Sequence, residues 1–485
     1  MSITEQIKGL ARHSSVYTIS TFIQRALGLV MLPIYTDVTY ITDRSAYGDL
    51  SLAYMFIAFL NVFYLYGMDS ALLRYFFLGE YKQKDVYKTA LIGVSVNSLF
   101  LTVIMFVFAP FFGNLIFGHH SYDNFIWYIA LILLFDGIGN LPYLILRAEE
   151  KSVTYSTIRV GRFFLELLLN ILFVIILRMQ VKGILYANIL ASLINLLVLF
   201  PYQTKYMNGV FDKALFKTLL WFGLPLLPNG LAYLTVQMSA TYLMSLLLDK
   251  DTLAVFSASY KFGSIFLFIV MAFRTAWQPF FLKVAKQANA KDIYSKIMTY
   301  FILLGILIII GGSLLIEYLV KLPLFFGRPF MGEHYWSGLK IIPIILTAYL
   351  FYGIYVNLTV GVFIEKKTNL MIIFTGLAAI VNVVGNIYMM PAYGIMGAAW
   401  VTLLSYLIMA ASIFIANQRI YPVPYDYARI GILFIILTIV LILYYVFSLS
   451  ILLRILILAV VPIILFISGF FNPRERMAFK SVFKR

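Results

Sequence analysis

The chain has 485 residues, 62% of them hydrophobic and 12% charged, with no cysteine and a formal net charge of +16. Without cysteine there is no disulfide, no thiolate metal site and no cysteine nucleophile, and the apolar content exceeds what a soluble core needs. A strongly basic chain suggests a nucleic-acid surface, but the placement of the basic residues gives a different reason for the charge.

Apolar runs read near 14–36, 47–68, 89–112, 124–146, 156–177, 183–203, 218–248, 253–277, 297–320, 340–363, 370–390, 395–417, 427–448 and 451–471. Each is long enough to cross a bilayer as a helix, which makes about fourteen spans and a polytopic all-α membrane protein. The first run is too long for the core of a secretory signal, and more spans follow it. It carries Arg25 midway. The second ends near Asp69, followed by Arg74. The fourth holds Asp136 amid Gly137, Gly139, Asn140 and Pro142, and the fifth holds Arg162 and Glu166. The seventh opens on Pro225, Pro228, Asn229 and Gly230, where the proline spacing predicts an unwound turn and a hinge or a static kink. The eighth holds Lys261 and Arg274. The longest outer loop, 321–340, is too short for a catalytic domain, and a basic tail follows the last run.

With the N-terminus inside, the inner loops hold about 25 Lys and Arg against about 8 in the outer loops. The basic excess is therefore topology, both termini are expected in the cytoplasm, and nucleic acid is not an expected partner. The four histidines, His13, His119, His120 and His334, lie outside the runs, and neither metal-ligand spacing nor a nucleophile elbow is present. An enzyme is not expected.

Charge in hydrocarbon costs at least about 2.5–3.5 kcal/mol at the bilayer centre and calls for a reason. Arg162 and Glu166, four apart, read as a structural pair or as part of a site. Arg274 can snorkel to a helix end. Asp69 reads as a helix-to-loop tie, and Asp136 as a proton or sodium site or as the partner of a nearby arginine. Arg25 and Lys261 have no acid three or four residues away. Four cations against two acids predict an electropositive cavity suited to a phosphate or diphosphate head group.

An internal repeat has a period of about 210 residues and covers six spans. Asn170, a short turn and Gly183 in the first half correspond to Asn386, a short turn and Gly397 in the second. An even number of spans per repeat predicts two lobes of the same orientation, 1–212 and 213–420, with 421–485 adding two helices and the basic tail.

LGLVMLPIYTDV (27–38), AYGDLSLAY (46–54), GMDSALLRYFF (67–77), GLPLLPNGLA (223–232), FSASYKFG (256–263), FRTAWQPFFLKVAK (273–286), GLKIIPIIL (338–346), IEKKTNL (364–370) and the Asn, Pro and Gly pattern from Asn382 to Ala399 occur in this order. In them the chain resembles the Wzx-type oligosaccharide-lipid flippases, the polysaccharide transporter branch of the multidrug/oligosaccharidyl-lipid/polysaccharide exporter superfamily. The resemblance implies a V of two six-helix bundles plus two C-terminal helices. It also implies alternating-access movement of undecaprenyl-diphosphate-linked oligosaccharide between leaflets of the bacterial inner membrane, no cofactor, and a proton or sodium ion as coupling ion. Membrane lipids and a polysaccharide polymerase or assembly proteins are the implied partners. The family's cationic cavity corresponds to Arg25, Arg162, Lys261 and Arg274. The acid it implies in the seventh helix is replaced here by Gln237, Ser239 and Ala240. The alternative reading is a multidrug or cation antiporter of the same superfamily, whose cavity should be neutral or negative.

Overall fold

The computed structural model describes residues 29–78, 80–118, 123–285, 287–325, 328–365, 367 and 369–471. Arg25 lies outside the described residues, as do most of the first run and the basic tail. Among the described residues almost all regular structure is helical. The exception is a two-stranded ribbon, Pro323–Phe325 against Arg328–Pro329, in the longest outer loop. That loop is more ordered than its composition suggests, because a 3-10 helix, Glu333–Ile341, follows the ribbon and buries Tyr335.

Nine helices among the described residues are long and apolar enough to cross a membrane, and a tenth is reached if Lys250–Gly263 and Ile265–Arg274 form one broken span. The helix Ser152–Asn170, which falls in the fifth run, is not one of them; it carries Arg159, Arg162 and Glu166. The helix Leu370–Ile420 has 51 residues, about 76 Å of rise, more than twice a hydrocarbon core. Gly394, with φ 56 and ψ −138, interrupts it after Pro391 and separates the eleventh run from the twelfth. Pro142, in contrast, is carried inside an unbroken helix, Asp123–Ala148.

Polar residues at the run ends start the helices. Asp43 accepts from Ser45 N at 2.9 Å before Arg44–Leu65, and Asp212 accepts from Ala214 N at 2.7 Å before Lys213–Gly223. Asp426 does the same for Arg429 N at 3.1 Å before Tyr427–Val446. Each cap satisfies amides that have no partner within the helix. Large apolar side chains such as Phe100, Leu197, Ile439 and Ile467 are exposed on the helix flanks. Such flanks suit lipid, where backbone groups must be satisfied within the helices. The protein is a multi-pass membrane protein.

By packing, the chain forms two compact units, one of residues 1–261 with 371–401 and the other of 262–370 with 402–485. In the first, Met68, Leu72, Tyr87, Val94, Leu141 and Leu219 belong to one buried apolar cluster, and Tyr87 donates to Gln203 Oε1 at 2.6 Å beside it. In the second, Ile342–Ile364 is buried along nearly its whole length. Arg454 of Ile451–Ile467 reaches Leu314 O at 3.1 Å and Glu317 Oε2 at 3.0 Å, which fastens this last helix to Ala290–Lys321.

The second apolar run, 47–68, ends at a break between two helices. Arg44–Leu65 stops at Tyr66 (φ 35) and Gly67 (φ 76), and Met68–Leu78 begins at once. At Gly67 an added Cβ would lie 2.2 Å from Gly223 O, so the two backbones touch there. Gly67→Ala combines that overlap with a left-handed backbone cost of about 1–2 kcal/mol. A lower unfolding temperature in detergent is expected, read by scanning fluorimetry; an unchanged temperature refutes the close approach.

The turn after Ala148 holds a charge cluster. Glu149 bonds Lys205, accepts from Tyr206 at 2.5 Å and pairs with Lys151 at 2.9 Å. Burial pushes its carboxyl up, but these three partners outweigh burial and hold it at about 2, against an ordinary 4.5. A depressed carboxylate supports the fold above about pH 4.5 and loses that support as pH falls towards 2. Glu149→Gln removes the titrating group, so thermal unfolding of the variant should depend less on pH between 5 and 3. An acid slope equal to that of the unmodified protein counts against the cluster.

Candidate functional site

Lys261 stands in the last turn of Lys250–Gly263. The other end of that helix is fixed by two ion pairs, Lys250 Nζ to the buried Asp49 at 2.6 Å and Asp251 to Arg44 at 3.1 Å. Lys261 is about 16 Å of helix rise beyond Lys250. Its ammonium faces two rings, Tyr47 at 5.2 Å and Tyr35 at 5.7 Å. The faces of such rings are electronegative and attract a cation.

Tyr35 leads to the next group. Its hydroxyl donates to Asn170 Oδ1 at 2.8 Å, and Asn170 Nδ2 donates to Glu166 O at 2.8 Å. One wall of the Lys261 environment is therefore fastened to the helix that carries Glu166 and Arg162. Glu166 is buried and within electrostatic reach of Arg162, Tyr35 and Tyr54. Arg162 Nη2 lies 2.9 Å from Asp136 Oδ1 and donates to Ser192 Oγ at 2.9 Å. The carboxylate at ion-pair distance from Arg162 is thus Asp136, which the sequence offered as a partner, rather than Glu166 one turn along. Arg162 Nε is buried without a partner, so the guanidinium keeps donor capacity.

Arg274 belongs to the second unit, on Ile265–Val284, and its Nη1 donates to Tyr352 Oη at 3.3 Å. Tyr352 stacks near Tyr355 at 6.2 Å, and Arg274 itself is exposed. Asp69 sits in the first turn of Met68–Leu78, where the positive end of the helix favours an acid. Pro225 lies in a single 3-10 turn, Leu224–Leu226, and Pro228 in the first turn of Leu227–Leu247. The expected unwinding is limited to that one tightened turn. Asn229 Oδ1 accepts from Thr375 there at 3.1 Å, and Gly230 faces Val62.

Asn386 and Asn170 make similar side-chain bonds. Asn386 Nδ2 donates to Asn382 O at 2.8 Å, four residues back, as Asn170 does to Glu166 O. Asn382 Oδ1 accepts from Ser239 at 2.7 Å, and Asn170 Oδ1, at the position matching Asn386, accepts from Tyr35. Gly183 and Gly397 match as well. A Cβ would meet Phe173 at 3.0 Å in one case and Met389 O at 2.3 Å in the other, so each helix starts hard against the end of the one before it. Ser239 stands in the stretch where the resemblance implied an acid, and it hydrogen-bonds to an asparagine.

A sequence model of the family described as polysaccharide biosynthesis protein matches residues 41–330. The chain belongs to this family. The matched stretch includes Asp136, Arg162, Glu166, Lys261 and Arg274 together with the tyrosine wall at Tyr47. No curated protein matches the chain. Among solved structures, the lipid II flippase MurJ in an inward closed conformation is similar with a TM-score of 0.75 at 16% identity, covering 92% of this chain and 97% of that one. A superfamily transporter from Pyrococcus furiosus, described as having a binding pocket of reverse polarity, gives 0.63 at 16%, covering 88% and 96%. A MATE protein in complex with MaD3S gives 0.60 at 16%, again over 88% and 96%. The polysaccharide biosynthesis family member therefore has the transporter fold shared by MurJ and the MATE proteins.

Three contributors had no functional reading in the sequence. Tyr35 and Tyr47 were two of 35 tyrosines, and only the motifs around them, LPIYTDV and AYGDL, marked them out. Asp49, two residues after Tyr47, anchors the Lys261 helix through Lys250.

Proposed function

We propose that the protein is a flippase that carries undecaprenyl-diphosphate-linked oligosaccharide from the inner to the outer leaflet of the bacterial inner membrane by alternating access, for cell-surface polysaccharide synthesis. The observation that carries this reading is the Lys261 ammonium between the Tyr47 and Tyr35 rings. An ammonium in a partly buried site binds phosphate oxygens strongly, and a family of polysaccharide biosynthesis meets phosphate on its lipid carriers. Arg25, Arg162 and Arg274 complete the cationic set. Asp136, Glu166 and Asp69 are the acids through which a proton or sodium ion would couple, and Pro225, Pro228 and Gly230 form the hinge. The matched asparagine and glycine pairs support two lobes, 1–212 and 213–420, that tilt about the substrate, with 421–485 added. Both termini are cytoplasmic on the balance of basic loops, and a polymerase or assembly protein receives the product.

Likeness to MATE structures favours a second reading, a multidrug or cation antiporter. Reconstitution into vesicles separates the two. With a fluorescently tagged oligosaccharide diphosphate polyprenol in one leaflet, the flippase should expose the tag to an impermeant quencher on the other side. Transport of a cationic dye down a proton or sodium gradient, with no movement of the tagged lipid, would overturn the proposal in favour of the antiporter.

A further inference from the structure

A cavity lies away from Lys261 and Arg162 and wholly within the first compact unit. It has a volume of about 570 Å3 and lies between Gln83–Val107 and the start of the seventh run, Lys213–Gly223 with Leu224 and Leu227. Its walls include Phe63, Val96, Phe100, Leu101, Leu224 and Leu227. Phe63, Val96, Phe100 and Leu224 are exposed, so in a multi-pass protein the slot opens to lipid. One polar atom breaks the apolar lining. Tyr66 is 8% exposed, and its hydroxyl is buried without a hydrogen-bond partner. That hydroxyl lies 2.8 Å from where a Cβ would stand on Gly93, itself a lining residue, so it points at the slot. Asn97, also on the wall, gives its amide to Phe63 O and Tyr64 O and keeps its carbonyl oxygen as an acceptor. A buried phenol without a partner costs about 1–3 kcal/mol, which a ligand oxygen inside the slot would recover.

The charge at one end narrows the ligand. Lys88 precedes Ile92 of the lining by one turn on the same helix face, and Lys213 precedes Phe216 in the same way. Lys84 belongs to the first of these helix starts, and Gly209, just before the second, packs on Lys84 O. The acids at this end are Asp85 and Asp212, and both carboxylates are engaged by backbone amides, of Val210 and of Ala214 and Leu215. The end is therefore net positive. From Ile92 to Leu101 the slot follows the helix for about 13 Å, the depth of most of one leaflet's hydrocarbon.

We propose that this slot holds an acyl chain of an anionic bilayer phospholipid. Its ester carbonyl accepts a hydrogen bond from the Tyr66 hydroxyl, and its phosphate lies among Lys84, Lys88 and Lys213. The lipid is a bound component of the fold, distinct from any transported molecule. It wedges between the second and seventh runs where Gly67 meets Gly223 and one turn before Pro228, so its occupancy sets how freely those two runs part.

Native mass spectrometry of the full chain, purified in mild detergent and supplied with phosphatidylglycerol and phosphatidylethanolamine, tests this. The unmodified protein should retain about one phosphatidylglycerol in preference to phosphatidylethanolamine. Tyr66→Phe keeps the ring and removes the hydroxyl, and should lower retention about fivefold, matching one neutral hydrogen bond. Val96→Trp, at a lipid-exposed position that tolerates bulk, should block the slot and abolish retention while the protein remains monodisperse. Equal retention by all three proteins overturns the site. Equal uptake of the two lipids overturns the anionic headgroup, and retention of a polyprenyl phosphate in place of phospholipid overturns the occupant.

Discussion

Lys261→Ala is expected to abolish glycan export while the protein still inserts and accumulates in the membrane. The ammonium is half-buried in the last turn of its helix, and the two rings it faces cannot take its place. One charge-assisted contact to phosphate is worth about 1.5–3 kcal/mol, and a low-dielectric site raises that further. A loss of about 100-fold in transport corresponds to about 2.8 kcal/mol. Lys261→Arg keeps the charge and should recover part of the transport, whereas a purely structural lysine would show no such ranking. The measurement is surface polysaccharide in cells relying on the variant, normalised to membrane-inserted protein. Normal export by Lys261→Ala would falsify the proposed phosphate site. Arg25→Ala, outside the described residues, is expected to behave in the same way.

The second large effect concerns Asp136 and Arg162. Their 2.9 Å pair is largely buried, with the arginine side chain 11% exposed and the aspartate 30%. Removing either partner leaves a charge in a poor solvent at a cost of about 3–5 kcal/mol, whereas replacing both by apolar residues is often neutral. Asp136→Leu and Arg162→Leu should each lower the unfolding temperature and the amount of folded protein, and the double variant should recover most of both. A double-mutant cycle on detergent-solubilised protein gives the coupling directly. Additive losses would mean that the pair is not coupled in the membrane. The double variant is also expected to export poorly, because it removes the unpartnered Arg162 Nε along with the pair.

These two residues show what the sequence could and could not convey. Periodicity sees neighbours on one helix, so Arg162 and Glu166, four apart, looked like a pair. The partner that the fold supplies, Asp136, is 26 residues away on another helix, and spacing carries no information about such a contact. The sequence did convey that Asp136 needed a reason to exist in hydrocarbon, and it offered an arginine partner as one. The apolar runs were legible for a similar reason, since the bilayer imposes a length that composition reports. The second run, 47–68, ends where the backbone turns at Tyr66 and Gly67. What the runs left out was hidden by uniform hydrophobicity, which lipid accepts on any flank. The π-helical turn Ile171–Ile176 at the end of the fifth run was silent for the same reason. The Lys261 wall was half legible. The lysine stood out by its cost, but picking Tyr35 and Tyr47 from so many aromatics required the three-dimensional path from Tyr35 to Asn170.

Gly394 carries one further consequence. Its φ of 56 and ψ of −138 mirror the extended region that ordinary residues prefer. An added Cβ there would meet nothing within 4 Å, so the obstacle to substitution is conformational rather than steric crowding. L-alanine is thus the wrong hand for this turn and D-alanine the right one. A semisynthetic chain carrying the mirror-image residue should preserve the bend between the eleventh and twelfth runs. It should do so more rigidly than glycine, because the D centre loses less freedom on folding.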